Sequence, residues 1–182
     1  MAGVSGEADG PRGRAGVARE DRGDAAVAVT DLFRAHHLEL VRLALMMVGD
    51  LATAEDVVQD AFERLHRGWR GLRQPSSGLA YVRSSVLNGC RSVHRRAAVA
   101  RKHAPRLAQP SPSGPDAAAD DRGELAGALR RLPRRQREVL VLRYYLDLDV
   151  AEIADTLRIA PSSVRAANTR GLAALARALG EG

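Results

Sequence analysis

The strongest constraint on the fold lies in the last third of the chain, where two helical patterns meet at a short turn. Asp149 can cap the helix before the turn, with Glu152 three residues further on. Pro161 suits the first position of the helix after it, where a missing N–H has no consequence. Ala154 is small enough to let the two helices cross closely, and Val164 can anchor the second. This pattern favours a helix-turn-helix over an ordinary helical hairpin.

A helix-turn-helix holds its second helix in front of the DNA major groove. We predict that the residues near the start of this helix face solvent and DNA: Ser162, Ser163, Arg165, Ala166, Thr169 and Arg170. Arg165 could read a guanine edge or bind a phosphate. The phosphate contact is the commoner of the two for any single arginine.

The rest of the composition predicts an all-α protein made of two small helical domains joined by a flexible linker. The chain has 182 residues and only 3% aromatic residues, and no window shows the sustained alternation that is typical of strands. Gly, Pro and Ser cluster at the N-terminus and near residues 104–115. We therefore predict a disordered tail over 1–26, a helical domain over 27–99, a linker over 100–119 and a second helical domain over 120–182.

Inside the first domain, the helical spacing of Phe33 and other apolar residues predicts an amphipathic helix that ends at Gly49. Thr53 is predicted to cap the next helix, with Asp56 at its third position. One face of that helix is apolar, and the opposite face carries Asp56, Gln59, Asp60 and Glu63. Such a face is most often only solvated, with a protein interface as the alternative.

A long basic stretch follows the acidic face. The net charge is +6, and residues 64–115 contain eleven Lys or Arg and no Asp or Glu. A helical pattern over 79–96 presents Arg83, Asn88, Arg91, Arg95 and Arg96, and it also carries Tyr81. An aromatic residue among Asn and Arg suits unstacked single-stranded bases, although a half-buried Tyr81 is an equally good interpretation. Surfaces of opposite sign suggest two partners, one a protein and one a nucleic acid.

The sequence shows no signature of several other classes of protein. Cys90 is the only cysteine, so an intrachain disulfide is impossible and the chain suits a reducing cytoplasm. The histidines show no metal-ligand spacing, and neither a secretory leader nor a membrane-spanning run is present. We expect no metal and no cofactor. An enzyme would also need a convergent polar pocket, and the sequence offers no nucleophile–base pair for one.

Three motifs in this order resemble one protein family. They are the segment Asp50–Phe62, the segment Leu132–Tyr145 (LPRRQREVLVLRYY) and Glu152-Ile-Ala154. Together they make the chain similar, from Asp31 to Leu179, to a group IV, or extracytoplasmic-function (ECF), sigma factor of bacterial RNA polymerase.

The resemblance implies partners and site residues. Core polymerase would be bound through the clamp helices of its largest subunit by Asp56, Gln59, Asp60, Phe62 and Glu63, and through the flap of its second subunit. The melted −10 element of promoter DNA would be bound by Arg73, Tyr81, Arg83, Asn88, Arg91, Arg95 and Arg96. The last helix would read the −35 element. An anti-sigma factor is a further expected partner, whereas catalysis, a small-molecule substrate and membrane insertion are not expected.

The sequence also departs from the family pattern at the turn. Arg158 stands where relatives often have Gly, and Ala160 replaces the usual Ser cap, which costs roughly 1 kcal/mol of helix stability. The alternative function is a free-standing helix-turn-helix regulator whose N-terminal domain senses a ligand or dimerises. Such a regulator would bind duplex DNA without polymerase, usually as a dimer on a palindrome.

Overall fold

The computed structural model describes residues 12–69, 77–103 and 121–180, and within these ranges all regular structure is helical. This confirms the all-α prediction. The helices in chain order are α1 Arg12–Val48, α2 Leu51–Gly68, α3 Gly78–His103, α4 Asp121–Arg131, α5 Arg134–Tyr144, α6 Val150–Leu157 and α7 Pro161–Gly180. We call α1–α3 the N-terminal unit and α4–α7 the C-terminal unit.

The N-terminal unit is a bundle of three helices around a leucine- and valine-rich core. Leu40 and Leu43 of α1, Val58 of α2 and Val86 of α3 are among its fully buried side chains. The first helix stops where Gly49 adopts a φ of +84°, a backbone angle that suits glycine because it has no Cβ. That end matches the prediction.

The start of α2 differs from the prediction. The helix begins at Leu51 and its N-cap is Asp50, not Thr53. The Asp50 carboxylate accepts hydrogen bonds from the Thr53 backbone N–H at 2.8 Å and from the Thr53 hydroxyl at 2.7 Å. These bonds stabilise the ionised carboxylate and lower the pKa of Asp50. Thr53 is therefore the donor to the cap rather than the cap.

Two segments that were predicted to be irregular are partly helical. α1 begins at Arg12, so residues 12–26 are helical, and α3 continues to His103, so residues 100–103 are helical too. The first extension is rich in Ala and Arg, which are strong helix formers and outweigh the glycines there. The remainder of the predicted tail and almost all of the predicted linker lie outside the described residues.

The C-terminal unit contains the predicted helix-turn-helix. Asp149 caps α6 in a capping box, in which its side chain and that of Glu152 each accept a backbone N–H bond at 2.8 Å. Arg158 closes α6 in the left-handed conformation, with φ +53° and ψ +56°. α7 then begins at Pro161, and Val164 is buried. All of these features were predicted except the backbone angle at Arg158.

One predicted core position in α7 is wrong. Leu172 is 41% exposed, and Gly171 takes the buried place beside α5. A Cβ at position 171 would lie 3.1 Å from the Leu140 side chain. The helices cross so closely there that a glycine fits and a leucine does not.

The two units share one continuous core. Leu142, Leu148 and Ile153 of the C-terminal unit belong to the same buried cluster as the core of the N-terminal unit. The Tyr145 hydroxyl donates to the Glu39 carbonyl at 3.4 Å. The units are thus packed against each other in this structure.

Candidate functional site

The acidic face of α2 is exposed as predicted. Asp56, Gln59, Asp60 and Glu63 all lie on the solvent side of the helix. Asp60 pairs with Arg64 at 3.2 Å, but both side chains are well exposed, so water screens the pair. The acidic face therefore keeps its negative character.

Phe62 differs from its neighbours on that helix because it is only 6% exposed. Its ring meets Phe33 edge-on, with centroids 5.0 Å apart, and Phe33 also contacts His37 with centroids 4.4 Å apart. Phe33 is 40% exposed. It lines a shallow hollow of about 390 Å³ together with Gln59, Phe62, Glu63, His66 and Arg67.

The basic face of α3 is only partly available to a ligand. Tyr81 is 39% exposed, and Asn88, Arg95 and Arg96 are exposed as well. Arg83 is half-buried and pairs with Glu39 of α1 at 3.3 Å. Arg73, which was predicted to belong to this surface, lies outside the described residues.

Arg91 belongs to a charged cluster that the sequence did not indicate. Its Nε and Nη2 donate to the two carboxylate oxygens of Glu138 on α5, at 2.7 and 3.0 Å. Its Nη1 donates to the Asn88 side-chain oxygen at 3.0 Å. Arg135 and Arg134 add further contacts to the Glu138 carboxylate at 3.1 and 3.7 Å. Glu138 is only 2% exposed.

Where α3 meets α5, the pKa values of two further ionisable groups are shifted. Burial raises the pKa of Cys90 to about 12, and the nearby Glu138 charge acts in the same direction. Burial also lowers the pKa of Arg137, against the opposing effect of Glu138. The residues where α3 meets α5 are thus largely withdrawn from water.

A cleft separates the basic face of α3 from α6. Its volume is about 390 Å³, and it is lined by Ser77, Ala80, Tyr81, Arg83 and Ser84 on one side and by Leu148, Glu152, Asp155, Thr156 and Arg158 on the other. The Ser84 hydroxyl donates to the Thr156 carbonyl at 3.4 Å. Acidic side chains of the C-terminal unit therefore border the predicted single-strand surface.

The predicted face of α7 is open to solvent. Ser162, Ser163, Arg165, Thr169 and Arg170 are exposed, and Ala166 is half-buried. A shallow groove of about 540 Å³ lies along this face, and it is lined by Arg135, Ile159, Ser162, Ser163, Ala166, Ala167 and Arg170. Arg135, at the start of α5, is a basic residue at this groove that sequence reasoning did not single out.

Among the described residues, no three His, Cys, Asp or Glu side chains are grouped as metal ligands would be. A search of the same residues for a helix long and apolar enough to span a bilayer found none.

Two family models match the chain, one in each unit. Residues 32–99 match the family model "Sigma-70 region 2", and residues 122–175 match "Sigma-70, region 4". The first match contains the acidic face of α2 and the basic face of α3, and the second contains the helix-turn-helix. The fold and its surfaces thus define a protein of the sigma-70 class.

Individual relatives narrow the class further. The chain is 32% identical over 153 residues to the ECF RNA polymerase sigma factor SigM of Mycobacterium tuberculosis, covering 84% of this chain and 78% of the relative. It is 34% identical over 155 residues to SigL of the same species, covering 78% and 85%. The chain belongs to the ECF RNA polymerase sigma factors.

Solved structures agree on the fold. The sigma factor RpoE of Bartonella quintana, crystallised with the anti-sigma factor NepR, aligns with a TM-score of 0.65 at 18% identity, covering 82% of this chain and 96% of RpoE. CnrH in complex with the cytosolic domain of CnrY aligns with a TM-score of 0.64 at 24% identity, covering 88% and 97%.

Proposed function

We propose that this chain binds core RNA polymerase through the acidic face of α2 and directs promoter-specific initiation through two basic surfaces, one on α3 and one on α7. The observation that carries this proposal is the separation of charge on one small chain. Asp56 and Asp60 are exposed on one face of α2, which also carries exposed Arg64 and Arg67 toward its end, while further exposed arginines lie on α3 and α7. An acidic face cannot serve the phosphate partner that basic faces attract, so each needs its own partner.

The acidic face would contact the clamp helices of the largest polymerase subunit through Asp56, Gln59, Asp60 and Glu63. Phe62 would act differently from these residues, because it is buried. Its ring packs beneath Phe33 and helps to form the hollow at the edge of the face. Phe33 would then supply apolar contact area next to a charged surface, a combination common at protein interfaces.

The α3 surface would bind the melted −10 strand. Tyr81 offers an exposed ring on which a base can stack, and such stacking is worth about 1–3 kcal/mol per base. Arg95 and Arg96 are exposed and can bind phosphates. Asn88 is exposed too and has polar atoms that can meet a base edge.

The α7 surface would bind the −35 duplex. Arg165 and Arg170 are exposed near the start of the helix, which is the part of a recognition helix that meets base edges. Arg135 borders the same groove and would add a phosphate contact.

An apolar surface of the C-terminal unit would meet the flap of the second polymerase subunit. Leu125 of α4 and Leu172 and Leu179 of α7 are exposed large apolar side chains. In the same unit, Leu129, Leu132 and Leu140 form a small core against Ala174 and Leu175 of α7. Exposed apolar patches of this kind commonly mark protein interfaces.

The remaining parts of the proposal concern the cellular location of the chain and its regulation. The chain would act in the cytoplasm, without catalysis of its own, and an anti-sigma factor would hold it inactive. The structure of RpoE with the anti-sigma factor NepR supports this last point.

The test is reconstituted transcription on genomic fragments with bacterial core polymerase, followed by sequencing of the 5′ ends of the transcripts. We expect new starts that depend on the chain and share upstream elements. Asp56→Arg combined with Asp60→Arg should abolish both these starts and core binding. The matched control is Asp31→Arg with Glu124→Arg, which makes the same charge change at two exposed sites elsewhere and should retain both activities.

Unchanged capture of core polymerase by the Asp56→Arg, Asp60→Arg chain would remove the partner assignment for α2. Specific duplex binding by the chain alone, with no chain-dependent starts, would favour the free-standing regulator. That alternative leaves the region 2 match over 32–99 without a role.

A further inference from the structure

We propose that Arg91 is a positioning residue that turns the amide NH2 group of Asn88 outward, so that Asn88 selects a keto base, thymine or guanine, in the melted −10 strand. The inference rests on the proposed role of α3 in binding that strand, and it adds the class of base that one position would accept. Asn88 and Arg91 lie three positions apart on α3, a spacing that makes side chains neighbours on a helix surface.

The amide of an asparagine can meet a base in two ways. It carries an acceptor oxygen and a donor NH2 group, and a half-turn about the last side-chain bond exchanges them. With the oxygen outward, the amide would accept from the amine of adenine or cytosine. With the NH2 group outward, it would donate to the oxygen of guanine or thymine. The bases that Asn88 can select therefore depend on what fixes its amide.

Arg91 fixes the amide through its oxygen. The Arg91 Nη1 donates to the Asn88 Oδ1 at 3.0 Å. Since a guanidinium has donors and no acceptor, only the oxygen of the amide can make this contact. The NH2 group is thereby directed away from Arg91. Asn88 is exposed, so a ligand can reach that group.

The guanidinium of Arg91 is itself held in place. Its Nε and Nη2 donate to the two carboxylate oxygens of Glu138 at 2.7 and 3.0 Å, and these are not the nitrogen that meets Asn88. A planar group that is engaged through all three of its nitrogens has little freedom to rotate. Arg95 offers a contrast on the same helix, because it donates to the Ser92 hydroxyl three residues earlier but is exposed.

The backbone that carries Asn88 is fixed as well. Leu87 and Cys90, on either side of Asn88 and Gly89, are buried. A Cβ at Gly89 would lie 2.7 Å from the Val57 side chain of α2, so α3 lies directly against α2 at this point. The side-chain torsions are the main freedom left to Asn88, and the Arg91 contact restricts them. A reading group must be held in this way if it is to discriminate between bases.

Keto and amino bases differ at the edge that such an amide would meet. Guanine offers O6 and N7 there and thymine offers O4, all of them acceptors, whereas adenine and cytosine each present an amine. An asparagine that pairs with two atoms of adenine needs its oxygen and its NH2 group together. Because the Asn88 oxygen already faces Arg91, the amine of adenine or cytosine would lack its acceptor, and an unpaired polar group is costly.

The first experiment measures initiation by the chain with core polymerase on templates that carry each of the four bases at each −10 position. One position should lose its base preference in Asn88→Ala, and there we expect wild type to favour thymine or guanine by about tenfold. Arg91→Met removes the donor and should reduce this preference to about twofold or less. The matched control, Arg95→Met, removes the same charge from α3 and should lower initiation on every template while the preference is kept.

The double variant tests whether the two residues act as one unit. Asn88→Ala with Arg91→Met should lose no more of the preference than Asn88→Ala alone. A full preference in Arg91→Met with unchanged circular dichroism would overturn the proposal. A wild-type preference for adenine or cytosine at this position, or no position at which Asn88→Ala alters the preference, would overturn it as well.

Asn88→Asp tests the orientation of the amide and leaves Arg91 and Glu138 unchanged. An ionised aspartate has acceptors only, so it preserves an outward oxygen and removes the NH2 group. We therefore expect Asn88→Asp to lose the base preference as completely as Asn88→Ala does. A preference that survives in Asn88→Asp would mean that the oxygen is the reading atom and would contradict the proposed orientation.

The second experiment examines the amide in the free, full-length chain by ¹⁵N relaxation. The Asn88 side-chain signal is the one that disappears from the spectrum of Asn88→Ala. Its order parameter should be about 0.8 in wild type, near that of rigid backbone, and should fall below about 0.6 in Arg91→Met. Arg95→Met should leave it unchanged. Equal order parameters in wild type and Arg91→Met would show that Arg91 does not fix the amide.

These measurements separate the inference from the proposed function. If wild type yields no chain-dependent starts, the sigma function fails and base selection fails with it, while the relaxation measurement still decides whether Arg91 holds Asn88. If wild type yields starts and Arg91→Met keeps the base preference, the sigma function stands and the positioning role of Arg91 is wrong.

Discussion

The basic surfaces of α3 and α7 differ in what already occupies them. On α3, Arg83 is paired with Glu39 and Arg91 with Glu138, and both arginines are partly withdrawn from water. On α7, Arg165 and Arg170 are exposed, and within the described part of the chain neither forms an ion pair. The two surfaces therefore differ in how many of their arginines already have a charged partner.

Because their arginines differ in pairing, the two surfaces would act at different steps of promoter binding. A surface that is open in the free chain can contribute to the first encounter with duplex DNA. On α3, the paired Arg83 and Arg91 would contribute only after their ion pairs have been exchanged.

Arg165→Ala should have the largest effect on the open surface. We expect the affinity of the chain for duplex carrying its −35 element to fall by tenfold or more, since a base-reading arginine is worth about 1–3 kcal/mol. Arg177→Ala, near the far end of the same helix, is the matched control. Fluorescence anisotropy on duplex DNA measures both, and an unchanged affinity for Arg165→Ala would place this arginine off the DNA.

Tyr81→Ala should act only where the promoter strand is melted. Loss of one stacking platform is expected to slow promoter opening by about tenfold, while closed-complex formation changes little. Permanganate footprinting of the melted strand follows opening, and filter binding at low temperature follows the closed complex. Equal loss in both assays would contradict a role that is confined to single strands. Asn88→Ala should show the same separation.

Gly171→Ala tests the close packing of α7, which carries the exposed basic surface, against α5. The new methyl group would lie 3.1 Å from the Leu140 side chain, so α5 and α7 would have to move slightly apart. We expect a loss of about 1 kcal/mol in the free energy of unfolding, at the low end for overpacking because a side chain rather than backbone is met. Urea denaturation measures the loss. Ala173→Gly, at an exposed position of the same helix, separates packing from helix propensity.

Arg158→Gly should have the smallest effect, and in the opposite direction. Arg158 holds a left-handed conformation, which costs about 1–2 kcal/mol for a residue with a side chain. Glycine removes that cost but loses more conformational freedom on folding. We expect the chain to gain about 0.5 kcal/mol in stability with its affinity for duplex DNA unchanged. A fall in affinity would show that the Arg158 side chain takes part in binding.

The local elements of the fold were predictable from sequence because their signals are local. The capping box of Asp149, the proline at the start of α7 and the glycine after α1 each act through neighbours a few residues away. Exposure of Asp56 and Asp60 followed from helical spacing. These predictions needed no knowledge of what lies across the core.

Predictions failed or were missing where the burial of a residue depends on a residue far away in the sequence. Leu172 was placed inward because helical spacing permits it, but the crossing with α5 favours Gly171 there. Glu138 looked like one more charged residue in an arginine-rich helix, and only the approach of α3 makes it a buried partner of Arg91.

Cys90 has a consequence for how signals can reach this protein. It is the only cysteine, it is buried, and its pKa lies near 12, so at neutral pH it is almost entirely a protonated thiol. Oxidants and electrophiles attack the thiolate. We therefore expect a chemical stress of that kind to leave Cys90 unmodified, so that a response through a thiol would have to be sensed by another molecule and passed on through binding.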